Sequence, residues 1–208
     1  MIQAYEQGSD LHRQTAGIVL GKPVEDISKE DRQLAKAVNF GLLYGQSANG
    51  LVRYAETSYG VKLDTEKARQ IRRKFFDEYK HLREWHNQAN EDAGSNREVL
   101  STQLGRKRWL PMEGDVRWQR FTALLNAPVQ GGAADVIKTA ITALQAKLPE
   151  DAGLVSTVHD ELIVEVPLKD AETVKKLVEG VMLESAASLY PAVSFEVEAH
   201  ICEDWSEK

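Results

Sequence analysis

The spacing of apolar residues changes several times along the 208-residue chain, and each change predicts a different element. After Asp64, the residues Ala68, Ile71, Phe75, Leu82, Trp85 and Ala89 recur at three, four and seven, which predicts one long amphipathic helix capped by Asp64. A second stripe, Ala171, Val174, Leu177, Val178, Val181, Ala186 and Leu189, predicts a helix over 170–189. Residues 116–147 also read as helical, with an interruption near Pro128. Elsewhere the character is β-like. Leu154–Val158 and Leu162–Val166 are β-rich runs joined at His159-Asp160-Glu161, the signature of a hairpin. Residues 193–201 alternate Val, Phe, Val, Ala and Ile, which predicts a half-buried strand. Residues 46–62 read as a loop and a short helix broken at Gly50 and Gly60, and 94–115 as a connection with Gly94, Gly105, Pro111 and Gly114. The expected class is α+β, an antiparallel sheet backed by helices beside a largely helical part.

The stretch from Ser28 to Gly45 carries the strongest chemistry. Ser28 and Asp31 form a capping box, Glu30 and Asp31 suit the positive end of the helix dipole, and Gly45 suits the helix end. On this helix Arg32, Lys36, Phe40 and Tyr44 fall four apart. Each such step drifts about 40° around the axis, so the four side chains form one slanting stripe roughly 18 Å long. Two cations followed by two rings suit a polyphosphate at one end and a sugar and base at the other. A solvated face running into a core has the same pattern.

Composition is that of an ordinary globular protein, with 28% charged and 42% hydrophobic residues. One cysteine, Cys202, excludes an internal disulfide, and the start of the chain is not a signal peptide, which together fit a cytoplasmic location. No apolar run reaches the roughly 20 residues of a membrane span. The net charge of −6 is unevenly spread: residues 1–148 carry 22 Lys and Arg against 18 Asp and Glu, whereas 149–208 carry 4 against 14. A basic surface followed by an acidic one suits a protein that grips phosphates with one part and metal ions with another, although an acidic surface helix alone accounts for much of the C-terminal excess. Lys67, Arg69, Arg72, Arg73 and Lys74 crowd one helix and read as a solvated face or a nucleic-acid contact. At the hairpin tip Asp160 and Glu161 are adjacent and repel one another, so a hard cation such as Mg²⁺ is the natural occupant; polar turn chemistry is the plainer reading.

These stretches, in this order, resemble family A DNA polymerases over nearly the whole chain. Arg32-x3-Lys36-x3-Phe40-x3-Tyr44-Gly45 is similar to the family's second motif, on a fingers helix facing the incoming deoxynucleoside triphosphate. Asp10-Leu11-His12-x-x-Thr15-Ala16 resembles the segment after its first motif, where the His binds the triphosphate; Asp10 itself reads as a helix cap. Thr102 to Pro111 resembles a segment near the DNA backbone, which makes Arg106 a phosphate contact. Asn126-Ala-Pro-Val-Gln130 resembles the segment whose Asn and Gln reach the primer–template in the minor groove. One departure stands out: the family's Arg four positions before Asn126 is Thr122 here, and Arg120 is two positions off. Val158-His159-Asp160-Glu161 resembles the third motif, with Asp160 on the catalytic metal and His159 near the primer end.

The resemblance implies a DNA-directed DNA polymerase, joining a deoxynucleotide from a dNTP to a primer 3′-hydroxyl on primer–template DNA with two Mg²⁺ ions. Lys36, Asp160 and Glu161 carry the catalytic roles, and His12, Arg32, Lys36, Phe40 and Tyr44 bind nucleotide. It also implies a mainly fingers subdomain over 1–115 and a partial antiparallel-sheet palm with backing helices over 116–208. The family's Asp-Tyr-Ser-x-Ile-Glu motif has no counterpart here. The expectation is therefore a C-terminal fragment inactive alone, either half of a split enzyme that needs an N-terminal polymerase segment or a non-catalytic nucleotide- or DNA-binding remnant. An exposed sheet edge would favour homo-oligomers.

Overall fold

Local signals fix most of the elements. A computed structural model describes residues 1–96, 98–114, 116–204 and 207, with residue 3 described in its backbone only. The helices are α1 (Ile2–Glu6), α2 (Leu11–Leu20), α3 (Lys29–Leu43), α4 (Ala48–Tyr59), α5 (Thr65–Glu78) and α6 (Lys80–Ala93). Short strands β1 (Val99–Ser101) and β2 (Lys107–Trp109) precede the long α7 (Arg117–Lys147). The hairpin β3 (Gly153–Val158) and β4 (Glu161–Glu165) and the helix α8 (Ala171–Leu189) follow. The class is α+β, mostly helical, with two two-stranded sheets. The chain forms two compact units, residues 1–100 with 108–127 and residues 101–107 with 128–208. Residue 115, read above as the end of the first subdomain, lies outside the described residues.

In the first unit, α2 to α5 enclose a core containing Val38, Leu42, Leu51, Ile71 and Phe75, all nearly or fully buried. The capping box holds as expected: the Ser28 hydroxyl accepts from the Asp31 amide and the Asp31 carboxylate from the Ser28 amide, both at 3.1 Å. At its other end α3 closes with the amide of Gly45 on the Leu42 carbonyl and that of Gln46 on the Gly41 carbonyl, a complete Schellman motif. Gly45 has φ +87, and a Cβ there would lie 2.6 Å from Phe121 Cε1 and 2.9 Å from Leu125 Cδ1. Glycine is required by conformation and by space. A second cluster joins Ala89, Leu100, Leu110, Leu124 and Leu125 within the same unit.

In the second unit, Leu144 of α7 and Val174, Val178 and Val181 of α8 pack with Leu162, Val164 and Val166. The β3–β4 ladder pairs Leu154 with Val164 and Val158 with Glu161, with a bulge between Leu154 and Ser156. The bulge leaves Val155 55% exposed while β4 keeps Leu162 and Val164 on the helix.

Four sequence expectations are corrected, the first being Gly50, which lies inside α4 rather than breaking it, so that only Gly60 ends that helix. The stripe after Asp64 is two helices, not one: Tyr79 (φ −94, ψ 67) ends α5 and begins α6. Its ring lies 4.8 Å from Phe75 and its hydroxyl 3.2 Å from Thr15 Oγ1, so core anchoring outweighs helix continuity. Conversely, α7 runs through Pro128 without interruption. Proline removes one helical donor, but Pro128 is exposed and the turns on either side continue. Gly131 and Gly132 then admit Thr102 and Tyr190 where a Cβ would collide with them. Finally, 193–201 forms no strand; Val193, Phe195 and Ile201 are exposed. Among the described residues no neighbouring strand supplies the ladder bonds that alternation alone cannot replace.

Candidate functional site

The cationic and aromatic stripe of α3 meets the start of α2 in the first unit. Asp10 caps α2, its Oδ1 accepting from the amides of His12 (3.0 Å) and Arg13 (3.1 Å). Its other oxygen, Oδ2, accepts from Arg32 Nε at 2.6 Å. Burial acts to raise the Asp10 pKa, but the bonds from Arg32 and the two amides outweigh it and hold the carboxyl below its usual range. His12 is the second residue of the helix. Its Nδ1 lies 2.9 Å from Asn39 Nδ2 and its ring centroid 6.0 Å from that of Phe40. Burial, then the positive charge of Arg32 and, more weakly, of Lys36, push its pKa down against the pull of Asp10. Four of the residues expected to bind nucleotide, His12, Arg32, Lys36 and Phe40, thus share one surface. Phe40 is 45% exposed, an unusual position for a ring with only packing to do.

Tyr44 stands at the end of α3 as its C-cap. Behind it, buried His86 of α6 donates from Nε2 to the Leu43 carbonyl at 3.1 Å, and its ring packs edge-on to Phe76, Trp85 and Phe121. Burial, with a smaller push from Arg72, lowers the His86 pKa although the Leu43 bond opposes it. Beside this corner opens a cavity of about 940 Å³ lined in part by Arg69, Arg72, Arg73, Arg83, Arg117 and Trp118. Several of these cations are engaged: Arg69 with Glu66, Arg83 with Asp77, Arg117 with Asn90, and Arg72 over the Phe76 ring at 5.1 Å.

The other expected contacts divide between surface and structural positions. Gln130 is exposed and Asn126 partly so, both on α7. In the second unit, Arg106 sits against buried Asp135, with Nε 3.0 Å and Nη2 2.9 Å from Oδ1, while the Thr102 hydroxyl donates to Oδ2. Burial works to raise the Asp135 pKa, and the bonds from Thr102 and Arg106 lower it more. Arg120 is 3% exposed and donates to the carbonyls of Ala93, Pro111 and Ser95, which makes it a structural clamp rather than a substitute for the arginine replaced by Thr122. The Thr122 hydroxyl turns back onto the helix carbonyls of Trp118 and Gln119.

At the hairpin tip His159 has φ +56, the only positive value at a non-glycine residue among those described. Such a conformation costs energy in a two-residue turn, where glycine or asparagine is the ordinary choice. Asp160 is exposed beside it, and Glu161 opens β4. The described residues hold no cluster of three metal-ligating side chains. Two adjacent carboxylates nevertheless fit Mg²⁺, which takes one or two protein carboxylates and completes its shell with water and substrate phosphates.

Sequence reasoning missed the polar residues behind the stripe. Asp10 read only as a cap, Asn39 lies off the stripe, and His86 sits inside a predicted apolar helix face. The available signal was a buried-side Asn and His in otherwise apolar surroundings.

The chain is similar to known proteins over nearly its whole length. The family model for DNA polymerase family A matches residues 1–207. The chain is 41% identical to DNA polymerase I of Aquifex aeolicus over all of its own length and 35% of that protein. It is 36% identical to the thermostable DNA polymerase I of Thermus aquaticus, over 99% of its own length and 24% of that protein. The chain thus spans about a quarter to a third of these relatives. Among solved structures, the POL domain of Pol1 from M. smegmatis, in complex with DNA primer–template and dNTP, matches with a TM-score of 0.72 and 32% identity, over 88% of this chain and 32% of that one. This chain belongs to DNA polymerase family A.

Proposed function

We propose that the chain carries the deoxynucleoside triphosphate site and part of the primer–template site of a DNA-directed DNA polymerase, with residues 1–115 mainly fingers and 116–208 a partial palm. The observation that carries this reading is the grouping of His12, Arg32, Lys36 and Phe40 on one surface of α2 and α3. Arg32, Lys36 and His12 hold the triphosphate, Phe40 packs against the sugar, and Tyr44 stands at the nascent base pair. Arg106, Asn126, Gln130 and His159 follow the primer–template. In the reaction the primer 3′-hydroxyl gives up its proton to solvent as its oxygen bonds to the α-phosphorus, and the bond from that phosphorus to the oxygen bridging to the β-phosphate breaks. Lys36 gives a proton to the departing pyrophosphate. Asp160, beside Glu161, would hold Mg²⁺, which when bound would supply neutralisation of the charge that develops on the triphosphate.

The chain alone binds nucleotide without extending primers. Supporting this are the two adjacent carboxylates, with no third acidic ligand beside them among the described residues. Among the described residues β3 and β4 pair only with each other, and their outer edges suit an added strand from an N-terminal polymerase segment or a second copy. A non-catalytic nucleotide- or DNA-binding remnant is favoured by the same shortage of acidic ligands. Calorimetric titration with dATP and Mg²⁺ tests the reading: binding is expected in the wild type and is lost by about tenfold or more in Arg32→Ala, the cost of a charge-assisted phosphate contact. Equal binding by both proteins overturns it. A primer-extension assay then separates fragment from enzyme, since robust synthesis by this chain removes the claim that it is inactive alone.

A further inference from the structure

The triphosphate surface contains a carboxylate where simple electrostatics wants none. Asp10 stands in direct contact with Arg32, within the field of His12, on the side of the molecule read above as polyanion-binding. Its geometry explains its presence. Oδ1 is fixed by two amides of the first turn of α2, so the carboxylate cannot swing. Oδ2 takes only Nε of Arg32, the nitrogen nearest the chain. The two terminal nitrogens, which form the outward fork, have no partner among the described residues, and the Arg32 side chain is 37% exposed. A carboxylate competing with phosphate would occupy that fork. This one leaves it free.

We infer that Asp10 is a positioning residue that braces Arg32 through Nε and presents its outward fork, already ordered, to the triphosphate. The inference rests on the reading of Arg32 as a triphosphate ligand and deepens it. A free arginine side chain loses considerable rotamer freedom when it binds, and a brace moves that loss from the binding step to folding. It also explains why arginine rather than lysine stands at position 32, since lysine has no inner N–H to give away while keeping its charged end for the ligand.

The prediction has the opposite sign to a charge argument. Removing an anion beside a cationic site strengthens polyanion binding by Coulomb attraction; removing a brace weakens it. Asp10→Asn separates the two. Asparagine caps helices as well as aspartate does, so its oxygen keeps the amides of His12 and Arg13 while its NH₂ faces Arg32 as a second donor. Binding of dATP with Mg²⁺, and separately of inorganic tripolyphosphate, is measured by calorimetry on the wild-type chain, D10N, R32A, R32K and D10N/R32K, with thermal melts to verify folding. D10N is expected to bind both ligands about tenfold more weakly, the size of ordering one long side chain at the moment of binding. On the R32K background D10N is expected to cause no further loss, because the brace has no partner there; a merely structural role for Asp10 would weaken both backgrounds alike. If R32A binds weakly while D10N binds as well as or better than wild type, the brace is wrong and the triphosphate reading stands. Equal loss on both backgrounds likewise overturns the brace. Absence of any dATP binding, or no loss in R32A, overturns the triphosphate reading and the brace together.

Discussion

The surface formed by α2 and α3 and the tip of the β3–β4 hairpin both carry sequence motifs but are built differently. Around α3, polar groups are held by other parts of the protein: Asp10 by two amides and Arg32, His12 by Asn39, and the Leu43 carbonyl by His86. At the hairpin the tip is exposed, and the notable feature is a backbone one, the positive φ of His159. On the proposed reading the first arrangement is a preformed nucleotide surface whose side chains wait in place, whereas the second displays carboxylates on a constrained turn whose final geometry a cation and a phosphate would set. A ligand without metal therefore finds most of its contacts ready at α3, and few at the hairpin.

The sharpest way to break that contrast is to disturb the scaffold under each region. Gly45→Ala places a Cβ into Phe121 and Leu125 at φ +87, so strain and overpacking together are expected to destabilise the first unit by about 2–4 kcal/mol. Gly153→Ala, at the start of β3, meets nothing within 4 Å and has no positive φ, and is expected to stay within about 0.5 kcal/mol of wild type. Denaturant titration of the two variants compares them directly. Similar losses would mean that the end of α3 is no more constrained than the hairpin.

Much of this was legible in the residues. The capping box at Ser28, the cap at Asp10, the hairpin and the α8 stripe depend on interactions within a few positions, which a sequence displays. What failed depended on distant partners. The break at Tyr79 follows from contacts with Phe75 and with Thr15, 64 positions away. The alternation over 193–201 promised a strand, but a strand needs a neighbour and the sequence names none. Pro128 announced an interruption that a long helix absorbs on an exposed face. At the site the same division holds: the stripe Arg32, Lys36, Phe40 and Tyr44 was visible from period alone, whereas Asn39 and His86, which orient it, bond across 27 and 43 positions.

A second prediction sharpens the contrast through pH. His86 is buried and its pKa is lowered, so the unfolded chain takes up its proton at higher pH than the folded chain does. Stability contributed by this group is fully present above the ordinary histidine value and falls as pH drops below it toward the depressed folded value. His12 is shifted in the same direction and adds to the slope. His86→Leu leaves the Leu43 carbonyl without its donor, at a cost of about 1–3 kcal/mol at neutral pH. It is also expected to flatten the loss of stability between pH 7 and pH 5, leaving only the His12 part. Melting curves across that range measure both effects, and an unchanged pH slope would show that His86 is not held neutral under α3.

The smallest expected effect lies at the hairpin, and it separates stability from function. His159 occupies a left-handed position that glycine adopts freely. His159→Gly is therefore expected to leave the second unit as stable as before or more stable, by up to about 1 kcal/mol, in spite of losing a side chain. Around α3, by contrast, truncating His12 or His86 is expected to lower stability, because His12 partners the buried Asn39 and His86 is itself buried against the Leu43 carbonyl. A turn that gains stability when its own residue is replaced was shaped by something other than folding, and here the neighbouring Asp160 and the reading of His159 as a primer-end contact supply the reason. Thermal melts of His159→Gly, paired with binding of a primer–template duplex, check it. A clear drop in melting temperature would assign the histidine a structural role instead.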